Sequence, residues 1–190
     1  SFFVFTPERL QAALAGAKKC GKPARVHIEL ETGMHRTGFC EDQLVEVSRS
    51  LRENQAHFQL EGLCSHLAGA EDFSNRRRIL NQIKTFNQLC SRFREKGHRP
   101  RYRHLACSAG LLNYPDSILD LVRIGISNYG FWPSDETCSM HLLPEDEMKD
   151  PLHRVLSWKS AVMSVNDVPE DEYVSYGDSY LTNRPTKIAT

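Results

Sequence analysis

The stretch VHIELETGMHRTGF, residues 26–39, decides the fold that this sequence predicts. It opens with alternating apolar residues, Val26, Ile28 and Leu30, which are typical of a short strand. A glycine-punctuated loop follows and presents one fixed cation, Arg36, before a helical pattern begins. A strand that ends in such a loop is a common way for an α/β protein to place charge at a site.

The composition is that of a globular protein, with 24 basic and 24 acidic residues among 190 and no formal net charge. This balance, with one short basic run at 76–78, argues against a nucleic-acid surface. No apolar run approaches the roughly 18 residues that a membrane span needs. The six cysteines form no CxxC pair, which argues against a zinc site and predicts reduced thiols in the cytoplasm. We therefore expect no metal, no nucleic acid and no membrane among the partners of this chain.

Strand-like and helical patterns alternate along the first two thirds of the chain. Strands are predicted at 1–5, 25–30, 58–64, 102–106 and 121–122, and helices at 7–20, 41–53 and 74–96, with a helical turn at 118–119. This order predicts a parallel sheet, either wound open or closed into a barrel. Arg36, His66, Ser108 and Arg123 each follow a predicted strand, which is where a (β/α) barrel keeps its sites.

The pattern of apolar and polar residues changes after residue 133. Residues 134–152 are polar and lack periodicity, so they predict a connecting loop. From Val155 onward the runs VLSWKSAVMSV, YVSYG and TKIAT predict the first strands of a separate β domain, which covers 153–190 and is incomplete. The abrupt ends of the sequence predict that the chain is a piece of a longer protein.

Three stretches carry a family resemblance: LETGMHRTGF at 30–39, SHLAGAED at 65–72, and HLACSAG with DLVRIGISNYGFWPS at 104–110 and 120–134. In this order they resemble the bacterial alanine racemases, and the sequences of the first two stretches are most similar to those of Bacteroidetes-type members. The resemblance covers nearly all 190 residues. It implies the C-terminal half of a TIM-type (β/α)8 barrel that binds pyridoxal 5′-phosphate, about strands 4–8 over residues 1–133, followed by the start of a β domain.

The resemblance implies a role for several residues in holding that cofactor. Arg123 stands where the family places an arginine against the pyridine nitrogen, and His66 matches the histidine that hydrogen-bonds this arginine. Ser108, with the backbone of Gly125 and Ile126, matches the family's phosphate cradle. A guanidinium keeps its proton, so the ring nitrogen is expected to stay neutral, which favours racemisation over transamination.

The resemblance also implies a substrate site and two departures from the family. Arg36 matches the arginine that steadies the cofactor's ring oxygen and the substrate carboxylate, and Met34 is expected to line the substrate pocket through its backbone. Arg36 and His66 are thus the supporting catalytic residues. Glu29 stands where many members carbamylate a lysine, so we expect a Glu29–Arg36 ion pair. Cys107 replaces the usual asparagine, and a thiol is a poor substitute for an amide.

The implied activity is the interconversion of L- and D-alanine for peptidoglycan synthesis, by removal of the Cα proton of an amino acid held on the cofactor. The family's cofactor-carrying lysine and catalytic tyrosine have no counterpart in these 190 residues. We therefore expect the isolated chain to be inactive and its parent to be a cytoplasmic homodimer. Two alternatives stay open: a racemase of another amino acid such as serine or lysine, for which Cys107 leaves room, and a non-catalytic module that binds the cofactor or a partner.

Overall fold

The computed structural model describes residues 1–142 and 150–190. The chain divides into two compact units, Ser1–Val155 and Leu156–Thr190, and each contains a sheet of its own. The part of the predicted connecting loop at 143–149 lies outside the described residues.

A four-stranded parallel sheet forms the centre of the first unit. Its strands, hydrogen-bonded in chain order, are β1 (Phe2–Val4), β2 (Ala24–Glu29), β3 (Phe58–Cys64) and β4 (Tyr102–His104). The helices are α1 (Pro7–Cys20), α2 (Leu44–Glu53), α3 (Arg76–Glu95), α4 (Ser108–Asn113) and α5 (Asp135–His141). The predicted alternation of strands and helices is confirmed as far as β4. The last two helices occupy segments that the sequence predicted as loops.

The sheet is open, where the sequence predicted part of a closed barrel with a fifth strand. The segment Leu121–Val122 forms no strand. The N–H groups of Asp120 and Arg123 do donate to the carbonyls of Arg103 at 3.1 Å and Ala106 at 3.0 Å, so this segment lies beside β4. The N–H of Arg103, however, donates to the carboxylate of Asp120 at 2.8 Å and not to a backbone carbonyl, so the ladder of a fifth strand is not completed. Barrel closure needs strands paired all round, whereas the sheet of the described residues ends at β1 on one side and at β4 on the other.

The two faces of the sheet differ in chemistry because successive side chains of a strand point to opposite sides. On one face, the fully buried Val26 and Ile28 belong to one core cluster with Ile79 and Phe86 of α3. On the other face, residues paired across the strands form two rows: Phe3, His27, Gly62 and Tyr102, and then Glu29, Cys64 and His104. The second face therefore places two histidines and a carboxylate on one side of the sheet.

The second unit is built on a two-stranded antiparallel sheet, β5 (Val165–Val168) with β6 (Thr186–Ala189). The run TKIAT is thus a strand, as predicted. The run at 155–164 forms no strand, and YVSYG makes only an isolated bridge between Tyr173 and Leu181. Apart from Ser164, which exchanges backbone hydrogen bonds with Thr190, these segments have no strand beside them among the described residues, and unpaired backbone does not form a ladder.

Helix α1 begins and ends where the sequence predicts. Pro7 is its first residue, and the hydroxyl of Thr6 accepts a hydrogen bond from the N–H of Arg9 at 3.4 Å. Gly21 ends the helix in the left-handed conformation, with φ 63°, and its N–H bonds back to carbonyls of the last turn. A Cβ at position 21 would meet no atom within 4 Å, so a side chain there carries only a conformational cost.

We expect Gly21→Ala to lower the free energy of unfolding by about 1 kcal/mol, because a Cβ disfavours the left-handed conformation. Gly21→Asn should lower it by less, because asparagine tolerates that conformation. Chemical denaturation of the wild-type protein and both variants measures the difference. Equal effects of alanine and asparagine would contradict this account of the helix end.

Candidate functional site

The loop after β2 is closed at its base by Phe39. The N–H of Phe39 donates to the carbonyl of Glu29 at 2.8 Å, and its carbonyl accepts from the N–H of Glu31 at 3.0 Å. Phe39 is fully buried, which anchors the base in the core. Gly38 allows this closure, since its φ is 122° and a Cβ there would lie 2.7 Å from the backbone nitrogen of Glu31. The loop therefore leaves the sheet and returns to it at a fixed point.

One carboxylate shapes the tip of this loop. Glu31 accepts hydrogen bonds from three successive N–H groups, those of Gly33, Met34 and His35, the last two at 2.8 Å. They accompany a left-handed backbone at His35, with φ 58°. The N–H of Met34 is engaged by Glu31, so the predicted backbone contact of Met34 with a substrate does not have this N–H at its disposal.

The predicted ion pair between Glu29 and Arg36 is not formed. Among the described residues, no nitrogen of Arg36 lies within 4.0 Å of a Glu29 oxygen. Glu29 Oε1 instead accepts a hydrogen bond from the hydroxyl of Thr37 at 2.8 Å. The shorter threonine side chain loses less rotamer freedom than arginine when it binds the carboxylate. Arg36 is consequently exposed and open to an anionic ligand.

Arg123 is held by acceptors at the ends of two strands. Its Nη2 donates to the carbonyls of Ser65 at 2.5 Å and Leu105 at 3.4 Å. Its Nη1 donates to the carbonyl of His104 at 3.2 Å and to the ring Nδ1 of the same residue. Within the described part of the chain, Nε makes no hydrogen bond. The guanidinium is therefore fixed in direction and keeps one N–H for a ligand.

The predicted hydrogen bond between His66 and Arg123 is also not formed. The His66 ring bonds to no described residue, whereas its carbonyl accepts from Gln82 Nε2 at 3.1 Å. Burial, followed by the nearby charges of Arg123 and Arg36, lowers the pKa of His66 below its usual 6.5. The imidazole is thus neutral at pH 7 and lies within the electrostatic reach of both arginines.

His104 is the imidazole that bonds Arg123, although it is not among the site residues that the sequence predicted. It is only 1% exposed and ends β4. Burial, with smaller contributions from Arg123 and His27, lowers the pKa of His104 to about 3. The signal was present in the sequence, because His104 stands four residues before Ser108 in the stretch HLACSAG.

The hydroxyl of Ser108 gathers N–H groups from the segment after Arg123. It accepts hydrogen bonds from the N–H of Gly125 at 3.0 Å and of Ser127 at 3.4 Å. The sequence predicted Gly125 and Ile126 for this cluster, so Ser127 is an addition to it. The hydroxyl of Ser127 is buried and has no hydrogen-bond partner among the described residues. A buried unpaired hydroxyl costs about 1–3 kcal/mol, and such a group marks a place where a ligand oxygen fits.

Cys107 lies directly before α4, at the position where a side chain can accept from the first N–H groups of the helix. Its thiol makes no such bond. Asparagine, which the resemblance leads one to expect here, is among the preferred residues at this position. The exchange therefore removes a helix cap next to Ser108.

Gln82 of α3 ties together the loops that follow β2 and β3. The side chain is 1% exposed. Its Nε2 donates to the carbonyl of His66 and, at 3.4 Å, to Thr32 Oγ1, while its Oε1 accepts from the N–H of Ala68 at 2.9 Å. The hydroxyls of Thr32 and Ser65 bond to each other at 2.7 Å. Sequence reasoning missed Gln82 because a lone glutamine within a long helix carries no motif.

Two family models match the chain. The model of the alanine racemase N-terminal domain matches residues 1–133, and that of the C-terminal domain matches residues 155–190. The chain belongs to the alanine racemase family. This family consists of isomerases, so its membership places the chain in an enzyme family.

Curated alanine racemases are similar to this chain over most of its length. That of Leptospira interrogans is 33% identical over 166 residues, which are 87% of this chain and 42% of that protein. Alanine racemase 2 of Oceanobacillus iheyensis is 34% identical over 188 residues, which are 98% of this chain and 45% of that protein. The chain therefore spans a little under half the length of these racemases.

Solved racemase structures share the fold. The alanine racemase of a D-cycloserine-producing Streptomyces lavendulae matches with a TM-score of 0.76 at 27% identity, over 98% of this chain and 47% of that one. The biosynthetic alanine racemase of Pseudomonas aeruginosa matches with a TM-score of 0.64 at 27% identity, over 99% and 48%. The Bartonella henselae alanine racemase, solved with covalently bound pyridoxal phosphate, matches with a TM-score of 0.65 at 22% identity, over 98% and 47%, which shows likeness of fold alone.

Residues 1–142 and 150–190 contain no cluster of three or more His, Cys, Asp or Glu side chains that could hold a metal ion. In the same ranges, no helix combines the length and the apolar character needed to cross a membrane.

We expect Gln82→Met to lower the free energy of unfolding by about 1–3 kcal/mol, because it leaves a buried N–H and a carbonyl without partners while keeping the side-chain volume. The matched control is Gln88→Met, the same exchange at an exposed position of α3, which should change stability by less than about 0.5 kcal/mol. Denaturant unfolding of both variants measures the effect. If the Gln82 variant were as stable as the Gln88 variant, the loops after β2 and β3 would not depend on the hydrogen bonds of Gln82.

Proposed function

We propose that this chain is part of an alanine racemase that uses pyridoxal 5′-phosphate. Residues 1–133 would contribute about strands 4–8 of its barrel, 134–152 would connect, and 153–190 would begin the β domain. The family models, the names of the relatives and the parallel sheet support this proposal. The strand β1 supports it too, because Phe2 is 62% and Phe3 46% exposed, as expected of apolar side chains that other parts of a barrel would cover.

The observation that carries the proposal is the fixed guanidinium of Arg123. Acceptors on Ser65, His104 and Leu105 occupy both terminal nitrogens and leave Nε–H for a ligand. A guanidinium donates a hydrogen bond but does not release its proton, so Arg123 would hold the cofactor's ring nitrogen in the neutral state. The neutral His66 adds no further charge beside it.

The Ser108 cluster fits the cofactor's phosphate. The hydroxyl of Ser108 accepts from the N–H groups of Gly125 and Ser127 and keeps its own proton for the phosphate, and the buried hydroxyl of Ser127 needs a partner. Hydroxyl and backbone N–H donors of this kind hold phosphate groups in proteins. The N–H of Ile126, which lies between Gly125 and Ser127 in the chain, would donate to the phosphate, and the N–H of Gly125 would join it when Ser108 turns toward the cofactor.

The remaining site residues would act on the substrate. When bound, pyridoxal 5′-phosphate supplies a conjugated ring that delocalises the negative charge left at Cα. The exposed Arg36 would hold the substrate carboxylate and steady the cofactor's ring oxygen. Met34 would line the pocket, and Glu29 would support the loop through Thr37. The two proton-transferring bases of the family, a lysine and a tyrosine, would come from outside this chain, the tyrosine from the partner subunit of a cytoplasmic homodimer. The product, D-alanine, would serve peptidoglycan synthesis.

The thiol of Cys107 favours a second candidate, a racemase of a different amino acid. It replaces an amide beside Ser108 and leaves the start of α4 uncapped by a side chain. The loss of a hydrogen-bonding group next to the cofactor site alters which substrate side chains find partners there.

The test is to purify the complete protein with pyridoxal 5′-phosphate and measure the appearance of the D-enantiomer from L-alanine, L-serine and L-lysine. We expect alanine to be the fastest substrate and the 190-residue chain alone to show no turnover. Faster turnover of serine or lysine would establish the second candidate. Cofactor that cannot be trapped by reduction with borohydride, together with no turnover, would leave the non-catalytic module as the function.

We expect Ser108→Ala to weaken the binding of pyridoxal 5′-phosphate to the complete protein by on the order of tenfold, the equivalent of one charge-assisted hydrogen bond. Binding of pyridoxal, which lacks the phosphate, should be unchanged. Titration followed by cofactor absorbance measures both affinities, and Ser139→Ala, a change at an exposed serine of α5, is the control. An equal loss for the two ligands would remove Ser108 from the phosphate site.

A further inference from the structure

A second imidazole lies behind His104. His27 Nδ1 and His104 Nε2 are 2.9 Å apart, and the two ring centroids are 5.0 Å apart with the rings inclined by 71°. Both side chains are buried, His27 to 8% and His104 to 1% exposure. Arg123, His104 and His27 therefore form one chain of hydrogen bonds that runs from the site into the polar face of the sheet.

The direction of each hydrogen bond in this chain follows from Arg123. A guanidinium only donates, so the Nδ1 of His104 must be the accepting nitrogen. The single proton of a neutral His104 then sits on Nε2, which faces His27 Nδ1. His27 must accept there and carry its own proton on Nε2. Burial lowers the pKa of both rings, which keeps them neutral and preserves this order.

The packing around His27 fixes the accepting nitrogen. Phe3 of the adjacent strand stacks on the His27 ring, with centroids 5.3 Å apart and an interplanar angle of 24°. On the other side, a Cβ at Gly62 would lie 2.5 Å from His27 Nδ1, so any side chain at position 62 would strike the atom that accepts.

A register shift in the sheet brings Gly62 to that place. Val26 pairs with Leu60, but His27 pairs with Gly62, so Glu61 is an extra residue in β3. Glu61 turns aside and pairs with Arg25 at 2.9 Å. Without the shift, a glutamate would stand opposite His27 and fill the space that its ring needs.

We propose that His27 is a positioning residue for Arg123 and acts through His104. By accepting the proton of His104 Nε2, it holds His104 in the tautomer whose bare Nδ1 receives the guanidinium, and so it keeps Arg123 aimed at the cofactor ring. This inference rests on the proposed function for its catalytic consequence, but the tautomer it requires is a property of the protein without cofactor.

The loss of the acceptor has a definite consequence. A buried Nε2–H without a partner costs about 1–3 kcal/mol. His104 relieves that cost by moving its proton to Nδ1, which then faces the N–H of Arg123. Two donors facing each other repel, so the guanidinium turns away from its present direction.

The experiment compares His27→Asn with His27→Leu in the complete protein. Asparagine and leucine have nearly the same shape, but only asparagine retains an acceptor where Nδ1 lies. The first measurement is the ¹⁵N NMR spectrum of imidazole-labelled protein without cofactor, with His104→Gln used for assignment. We expect His104 to be protonated on Nε2 in the wild-type protein and in His27→Asn, and on Nδ1, wholly or in part, in His27→Leu.

The second measurement is racemase kinetics of the loaded protein. We expect kcat to fall by on the order of tenfold or more in His27→Leu with little change in KM, and His27→Asn to restore most of it. Gly62→Ala should displace the His27 ring without removing it and should therefore cause the same tautomer change in His104. This variant provides the test if His27→Leu does not fold.

Two outcomes overturn the proposal. One is a His104 ring that carries its proton on Nδ1 in the wild-type protein. The other is a His27→Leu or Gly62→Ala variant that keeps both the wild-type tautomer and the wild-type kcat. Because the tautomer is read without cofactor, failure of the racemase assignment leaves this test intact, and the two failures are distinguishable.

Discussion

The guanidinium of Arg123 only donates hydrogen bonds, so its direction depends on how many acceptors the fold brings within reach. Three carbonyls meet it, those of Ser65, His104 and Leu105, together with one imidazole nitrogen. These carbonyls lie at or just beyond the carboxyl ends of β3 and β4. Parallel neighbours present those ends on one side, and this common edge is what makes a single arginine reachable from two strands.

The helices determine which face of the sheet remains for chemistry. Apolar residues such as Val26 and Ile28 pack with α3 on one side, so the alternation of the strands sends His27 and Glu29 to the other. A one-residue irregularity in β3 then sets Gly62 opposite His27. The polar face thereby gains room for a ring that a regular ladder would have excluded.

The loops at the strand ends are held by groups that satisfy several partners at once. Glu31 accepts three N–H groups of the loop after β2, and Gln82 joins that loop to the one after β3. Each binds backbone groups that would otherwise be left unsatisfied, at a cost of about 1–3 kcal/mol apiece when buried. A site on such loops keeps its geometry because few side chains fix many backbone atoms.

Sequence alone determined the features that local patterns encode. The bounds of α1 follow from Thr6, Pro7 and Gly21, and the order of strands and helices follows from apolar periodicity. The motifs around Arg36, His66, Ser108 and Arg123 together indicated the racemase family, and the family models confirm it. The tertiary structure decided which partners these residues take.

His104 rather than His66 bonds Arg123, and Thr37 rather than Arg36 bonds Glu29. The carboxylate of Asp120, rather than a backbone carbonyl of a fifth strand, accepts from the N–H of Arg103. Each of these choices is a competition between groups whose separation is set by packing across the sheet. The sequence indicates which groups are candidates for each hydrogen bond, but only the tertiary structure decides which of them lies within hydrogen-bonding distance of its partner.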